Sequence, residues 1–423
     1  MDAFNENLNE QQAQQPMGCL HRFSKTIKVV IIGLLILLLM IPMFMIENLI
    51  SERGRTQEEA IDEVSEKWSL AQTITGPYLN LQYPVVTENN GEKKVSIKDL
   101  ILFPDELMVN GQLKTEILKR SIYEVNVYQS ELTLKGSFSS EELKKSRIDM
   151  DQLQFDRAAI CLNLTDMRGI SEQISITLGD SVYIFEPGMD NRGIANTGVH
   201  AIANLSELKQ NKKLPYEIKI KLKGSQSLNF IPLGKTTRVD LKANWNTPSF
   251  TGNYLPNNRN ITEKEFSAQW QVLNLNRNYS QVMVDFNTSN IKDIESSSFG
   301  VNFKIPVEQY QQSMRSAKYA ILIILLTFGV IFFTEIMNKT RIHALQYLLV
   351  GLALCLFYSL LLSFSEHIGF NPAYLLSSAL TIILVGGYMF GITKKKKPSL
   401  IMSGLLGILY LYIFVLIQLE TFA

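Results

Sequence analysis

The sequence predicts a membrane protein. One N-terminal and four C-terminal α-helical transmembrane segments flank a large β-rich, sandwich-like domain. Three observations predict this. Five apolar runs are each long enough to cross a bilayer, since a helix rises 1.5 Å per residue and the hydrocarbon core is about 30 Å thick. A polar block lies between the first and second runs and is long enough to bury a core of its own. Within that block, apolar and polar residues alternate over short stretches closed by turn formers, the period of half-buried strands.

The chain has 423 residues, 41 Lys and Arg against 40 Asp and Glu, and a net charge of +1. With no basic excess to neutralise phosphates, a nucleic-acid partner is excluded. The three cysteines, Cys19, Cys161 and Cys355, fall in the tail, the polar block and an apolar run. On the topology below no two of them share a compartment, so no disulfide forms between them.

In chain order, residues 1–15 are Asn- and Gln-rich and read as a disordered tail. Arg22, Lys25 and Lys28 then lead into the run at 29–46. That run is too long for a signal-peptide core, and Glu47-Asn48-Leu49 is no cleavage site, so it reads as an uncleaved anchor. It carries Gly33 but no stripe of small residues, and is expected to touch lipid over most of its surface. Residues 55–73 read as an amphipathic helix, with Ile61, Val64, Trp68 and Ala71 at helical spacing. Thr56 and Glu59 fit a capping box at its start, and Gly76-Pro77 is expected to stop it.

Strands are expected at 123–128, 130–135, 216–222, 239–245, 270–275 and 281–286, with turns at Asn89-Asn90-Gly91, Pro187-Gly188 and Pro256-Asn257-Asn258. Short helices are expected only at 141–145 and 204–209. Leu134-Lys135-Gly136-Ser137 recurs as Leu222-Lys223-Gly224-Ser225, each time closing an alternating strand. A duplicated β-unit and coincidence both account for it.

The second spanning helix is read at 319–335 and the third over 344–364. The fourth, at 373–392, carries Gly387 and Gly391; the fifth, at 400–419, carries Ser403 and Gly407. On the third, Gly351, Cys355, Ser359 and Ser363 recur every fourth residue, a helix-packing stripe that lets a neighbouring helix approach closely. The second and fourth helices, joined to the third by short loops, are its expected partners.

Topology follows from flanking charge. Arg22, Lys25 and Lys28, then Lys339 and Arg341, then Lys394 to Lys397 alternate so that one compartment receives all three groups, the cytoplasm by the positive-inside rule. Arg53, Arg55, Arg315 and Lys318 are minor exceptions. The resulting layout is a cytoplasmic tail at 1–28, an anchor helix at 29–46, and a periplasmic β-rich domain at 47–318 with its juxtamembrane helix at 55–73. A four-helix transmembrane domain at 319–419 and a C-terminal tail at 420–423 complete it.

Catalytic signals are sparse. There is no nucleophile elbow, no paired-histidine zinc motif, no phosphate loop and no Cys-x-x-Cys. His200 is the only histidine in the polar block, so catalytic, cofactor-binding and metal residues are expected to be none, and the chain is read as no enzyme. Two groups carry a weighed functional reading. Glu335, Glu366 and His367 are membrane-boundary ionisable groups; they are either functional or plain polar helix ends, the latter favoured because water reaches an interface. Trp245, Pro248, Ser249, Phe250 and Gly252, continuing to Phe266 and Trp270, suit either a ligand or partner groove or a turn packed between sheets.

The third apolar run with its C-terminal flank, QYLLVGLALCLFYSLLLSFSEHIGF and AYLLSSAL, resembles the CreD family of bacterial inner-membrane proteins, described as cell envelope integrity proteins. Further matches come in the family's order: Trp68 with Gln72 through Pro77, Ile122 through Tyr128, Asp166-Met167-Arg168-Gly169 and Gly198-Val199-His200-Ala201. Trp245 through Pro256, Phe266 through Trp270, Asn276-Arg277-Asn278, Ser298 through Val301 and Arg315 through Tyr319 complete the run. The family has proline where this chain has Asn126 and glycine where it has Glu265. It also continues into another spanning helix after Glu420, whereas this chain ends at Ala423, which would leave the C-terminus outside.

The resemblance implies a bacterial inner-membrane protein, multi-pass, with a cytoplasmic N-terminus, tied to envelope integrity and stress responses. Its expected partners are the lipid bilayer and an envelope protein or lipid held by the periplasmic domain. The alternative is a lipid-handling or transport protein working through the helix cluster and the aromatic groove. The sequence carries no signal for oligomeric state.

Overall fold

The computed structural model describes residues 18–89, 92–145, 148–189, 194–195, 197–210, 212–284, 288–303, 308–338 and 342–422. The tail at 1–17, the Asn90-Gly91 turn and the Lys339–Arg341 flank lie outside them, as do the side chains of Arg22 and Lys25. Two compact units divide the chain: residues 59–305, and residues 1–58 together with 306–423.

The first unit is built of β-strands: β1 (Gln72–Asn89), β2 (Glu92–Leu102), β3 (Glu106–Arg120), β4 (Tyr123–Phe138), β5 (Ala158–Leu164), β6 (Ser175–Leu178), β7 (Ser181–Ile184), β8 (Glu186–Pro187), β9 (Val199–Ala203), β10 (Leu214–Ser225), β11 (Ser227–Phe230), β12 (Thr236–Ala243), β13 (Ser249–Gly252), β14 (Asn258–Ile261), β15 (Phe266–Leu273), β16 (Val282–Val284) and β17 (Phe299–Asn302). They form two sheets. The nine-stranded one runs β13-β17-β11-β1-β5-β9-β8, with β2 on β1 and β16 on β2; the eight-stranded one runs β14-β15-β12-β3-β4-β10-β6-β7. Inward-facing residues of both share one core, including Leu79, Leu81, Ile160 and Leu162 from the first sheet and Leu134, Ile218, Leu241 and Trp270 from the second.

The alternation read in the sequence belongs to the eight-stranded sheet. On β10, Tyr216, Ile218, Ile220 and Leu222 point inward, while Glu217 meets Lys135 across the strand pair at 3.1 Å on the outer face. The nine-stranded sheet differs. All seven residues of β5 are buried. Its far face is covered by a second cluster in which Tyr78, Ala159 and Cys161 meet Met189, Ile231, Met283 and Ile294. Ile294 lies on α3 (Thr288–Ser296), a helix the sequence reading did not anticipate; α2 (Glu141–Lys145) lies where a short helix was expected. The stretch near 204–209 is a 3-10 turn, Ser206–Gln210.

Several readings of the helices need correction. The anchor and juxtamembrane segments are one helix, α1 (Gly18–Trp68), so residues 18–28 of the supposed tail are helical. Thr56 does not cap a new helix; its hydroxyl donates to the Glu52 carbonyl at 3.0 Å inside the continuous one. Gly76-Pro77 stops nothing, because it lies within β1, where the pairing with β5 shifts register between Thr75 and Tyr78. It marks a bulge, the position where Gly and Pro are tolerated in a strand. The 47–318 boundaries are too wide: residues 47–58 and 306–318 group with the helices, the latter containing α4 (Glu308–Lys318). The C-terminal tail is also misjudged, since α8 runs through Phe422.

What ends α1 is the Asp166-Met167-Arg168-Gly169 motif. Arg168 Nη1 donates to the Glu66 carbonyl at 2.6 Å, satisfying one of the acceptors that a helix C-terminus leaves open. Asp166 Oδ2 accepts from Leu70 N at 2.9 Å and from Ser69 Oγ at 3.3 Å, and Gln72 Nε2 donates to the Asp166 carbonyl at 2.7 Å. A Cβ on Gly169 would overlap the Lys223 carbonyl oxygen, so only glycine lets the motif lie against β10. Burial pushes the Asp166 carboxyl up, but the hydrogen bonds from Arg168 and Leu70 outweigh it and hold it below the ordinary carboxylate value.

The second unit comprises the apolar part of α1 with α4, α5 (Ala320–Asn338), α6 (Ala344–Ile368), α7 (Phe370–Thr393) and α8 (Lys396–Phe422). Among the described residues, five of its helices are long and apolar enough to cross a membrane. Its interior is aromatic: Phe357 packs on Tyr358, Tyr374 and Tyr410 at centroid distances of 4.8, 5.4 and 4.5 Å.

Candidate functional site

The aromatic stretch of the β-rich unit fills its core. Phe250 on β13 reaches across the space between the sheets to Phe266 and Trp270 on β15, with T-shaped contacts at 5.9 and 5.6 Å. Phe266 and Trp270 are both 2% exposed, and Trp270 Nε1 donates to the Tyr254 carbonyl at 3.2 Å. Trp245 is half-buried against the same core and donates to the Thr247 carbonyl at 3.0 Å. Pro248 is half-buried, Ser249 is exposed, and Gly252 has φ +92°, where an added Cβ would overlap the Ser298 carbonyl oxygen. Of the two readings of this stretch, these contacts are those of a turn packed between the sheets.

A cleft does open elsewhere on this unit. It holds about 370 Å³ and is lined by Thr73 and Thr75 of β1, Asn163 of β5 and Thr165 just after it, Thr197, Ile231, and Ile294 and Glu295 of α3 with Ser298 just after it. Its floor is fixed. Asn163 accepts from Tyr78 Oη at 2.6 Å and donates to the Ala195 and Thr197 carbonyls at 3.0 and 2.8 Å. The rim presents the exposed Thr165, Thr197 and Glu295. Sequence reading missed this cleft because its residues come from five separate segments and none forms a motif.

In the helical unit, Glu335 and Glu366 are not idle helix ends. Glu335 of α5 pairs with Lys28 of α1 and accepts from Tyr347 Oη of α6 at 3.1 Å; Lys28 Nζ also donates to the Ile342 carbonyl at 2.8 Å. At the opposite end of α6, Glu366 accepts from Tyr310 Oη of α4 at 3.0 Å, with Arg53 Nε of α1 at 3.9 Å. Each carboxylate thus joins one cation of α1 and one tyrosine. The 25 residues from Lys28 to Arg53 correspond to about 37 Å of helix, slightly more than a hydrocarbon core, so α1 is held near both ends of its apolar stretch. His367, grouped with these residues in the sequence, is exposed in the last turn of α6 and takes no part.

The small-residue stripe packs over half its length, against the expected second helix, α5, and also against α1, which was not expected. A Cβ at Gly351 would overlap Leu39 of α1 and press on Phe328 of α5. Leu39, Met43 and Ile50 are almost fully buried, so α1 turns one narrow face to its neighbours, while most of its apolar stretch is left uncovered by protein, as the sequence led one to expect. Cys355 is buried, Ser359 half-buried and Ser363 exposed. Between α7 and α8 the close contact is made by Gly386 against Ser403, while Gly387 and Gly391 face open space.

Beyond Gly351, α1 and α6 diverge and leave a groove of about 880 Å³, lined by Met45, Leu49 and Glu52 of α1, Leu352, Cys355 and Ser359 of α6, and neighbouring apolar residues including Leu384 of α7. Among the described residues, no three His, Cys, Asp or Glu side chains come together as a metal site requires.

A family model described as Inner membrane protein CreD matches residues 24–423. The chain is 32% identical over 375 residues to Inner membrane protein CreD of Escherichia coli (strain K12), a match that covers 87% of this chain and 81% of that one. An N-terminal apolar helix, a two-sheet unit and four C-terminal apolar helices, matched over nearly their whole extent, place this chain in the CreD family of inner membrane proteins.

Proposed function

We propose that this chain is a non-catalytic component of the cell envelope. Its helices hold it in the inner membrane with the N-terminus in the cytoplasm, and its β-rich unit, on the periplasmic side, binds a polar envelope component or a protein partner and so contributes to envelope integrity under stress. The observation that carries this reading is the threonine-rimmed cleft beside α3. Its rim carries the Thr197 hydroxyl and the Glu295 carboxylate beside the Thr165 hydroxyl, whose oxygen already accepts from Thr73 N at 3.0 Å, and its floor has its own hydrogen bonds made, so an incoming polar ligand meets a preorganised site. The basic flanks support the orientation.

The test is complementation. Cells lacking the chain should admit a membrane-impermeant dye under detergent challenge, and the intact chain should restore the barrier. Thr197→Val with Glu295→Gln removes a hydroxyl and a charge at nearly constant volume and leaves the bond from Thr73 N to Thr165 Oγ1 in place. The double variant should accumulate and melt normally yet fail to restore the barrier; full restoration would sink the reading. Orientation is checked by single cysteines, with Cys19 and Cys355 replaced. Positions 90 and 371 should react with an impermeant thiol reagent in intact cells, and position 338 should not.

A further inference from the structure

The groove between α1 and α6 has the shape and polarity of a lipid site. Its floor is Ile46 and Cys355, both buried, and its rims are Met45, Leu49, Leu352 and Leu356, each exposed by between 39% and 66%. Large apolar rims over a buried apolar floor make a slot that an acyl chain can fill; a helix docking closely would need small residues at the rim instead. Toward one end, Leu39 lies against Gly351 and closes the slot. The other end is polar, with Asn48 and Glu52 on its lining. Glu52 is exposed and its carboxylate makes no ion pair among the described residues, whereas its neighbour Arg53 is turned to Glu366 at 3.9 Å.

We propose that this groove binds one acyl chain of a bilayer phospholipid whose headgroup carries an ammonium, phosphatidylethanolamine being the chemistry that fits. The chain lies along Met45, Leu49, Leu352 and Leu356, and the ammonium sits at Glu52. An anionic headgroup without an amine, such as phosphatidylglycerol, would place like charge beside that carboxylate. A second copy of the chain is disfavoured by the leucine rims.

The test uses the full chain in nanodiscs of equal parts phosphatidylethanolamine and phosphatidylglycerol, released for native mass spectrometry. One phosphatidylethanolamine should stay bound per chain, in excess over phosphatidylglycerol. Ser359→Trp, which fills the slot, should lower retention about tenfold, and Ser359→Leu should lower it partly should the tryptophan variant fail to fold. Ser363→Trp, exposed on the same stripe, should leave it unchanged. Glu52→Gln should abolish the headgroup preference while a lipid is still retained. Equal retention of both lipids by the unsubstituted chain, unchanged retention in both Ser359 variants, or a two-chain mass without lipid would each overturn the proposal.

Discussion

Tyr128 on β4 and Gly224 on β10 lie directly across from each other, and so do Tyr216 and Gly136 on the same two strands. A Cβ at Gly224 would overlap the Tyr128 ring, and one at Gly136 would meet Tyr216 Oη. Each buried phenol lies over a glycine and donates to a backbone carbonyl, Tyr128 to Ser227 at 2.8 Å and Tyr216 to Glu106 at 3.0 Å. A cross-strand aromatic covering a glycine restores the packing that the glycine lacks. The antiparallel pairing makes the arrangement two-fold, which accounts for the repeated Leu-Lys-Gly-Ser as a local demand of each strand. Gly224→Ala should cost about 1–3 kcal/mol through overpacking. Tyr128→Phe, which loses only a hydrogen bond, should cost about 1 kcal/mol. Combining Gly224→Ala with Tyr128→Leu should cost less than the two singles added. Chemical unfolding of the full chain followed by far-ultraviolet circular dichroism reads all of these.

Asp166 should make the β-rich unit acid-sensitive. Its carboxyl is held below the ordinary value in the folded chain, so its contribution to stability is complete above the unfolded aspartate value of about 3.9 and is lost as pH falls through the lower folded one. The unsubstituted chain should therefore lose stability between about pH 5 and 2, partly through this group. Asp166→Asn should be less stable at neutral pH by about 1–3 kcal/mol, since it disrupts hydrogen bonds to Leu70, Ser69 and Arg168. Its stability should also fall less steeply in acid. A parallel pH dependence in the two proteins would place the acid-sensitive group elsewhere.

These two sites show what the sequence made legible. Alternation marked the eight-stranded sheet because its outer face is solvated, so period two survives in β4 and β10. It hid β5, whose residues Ala158–Leu164 are buried on both faces and read as an unpatterned apolar run. The unbroken α1 was obscured by its change of character at Glu47, where an all-apolar run becomes amphipathic without leaving the helix. The ionic contacts of Lys28 and Arg53 span hundreds of residues along the chain, and no local spacing announces them. Of the candidate sites, the aromatic stretch was visible because Trp and Phe are conspicuous, yet its packing role depends on which sheet each ring comes from.

The two ends of α1 should differ in energetic weight. Lys28 and Glu335 are partly buried, with side chains 27% and 11% exposed, and the carboxylate takes a second bond from Tyr347. Arg53 is 48% exposed and lies 3.9 Å from Glu366. Exposed pairs contribute roughly 0–1 kcal/mol, whereas a hydrogen bond to a partly buried charge is worth about 1.5–3 kcal/mol. Lys28→Met should therefore lower the midpoint of detergent thermal unfolding clearly more than Arg53→Met. The swap Lys28→Glu with Glu335→Lys should recover part of what either single change loses. Equal effects at both ends would mean that α1 is held by its apolar face alone.

The stripe on α6 gives the sharpest contrast. Its four residues are equivalent by sequence spacing, so substitution at Gly351 or Ser359 would be expected to cost alike. The structure separates them. At Gly351 an added side chain meets Leu39 of α1 and Phe328 of α5, both interior, and neither helix can retreat without losing the contacts made by Met43 and Ile50. Gly351→Leu should push α1 off the bundle, costing at least the 1–3 kcal/mol typical of overpacking, that is about 1 kcal/mol or more. At Ser359 the side chain points along an open groove, and at Ser363 it is exposed. Ser359→Leu and Ser363→Leu should therefore be tolerated, staying within about 0.5 kcal/mol as surface changes do. Insertion should survive in all three, because each keeps the segment apolar. The measurement is the temperature at which half the purified protein leaves its monodisperse peak in detergent. A drop at Ser359 as large as that at Gly351 would show that α1 and α6 stay in contact along the whole stripe, and the groove would have to be abandoned.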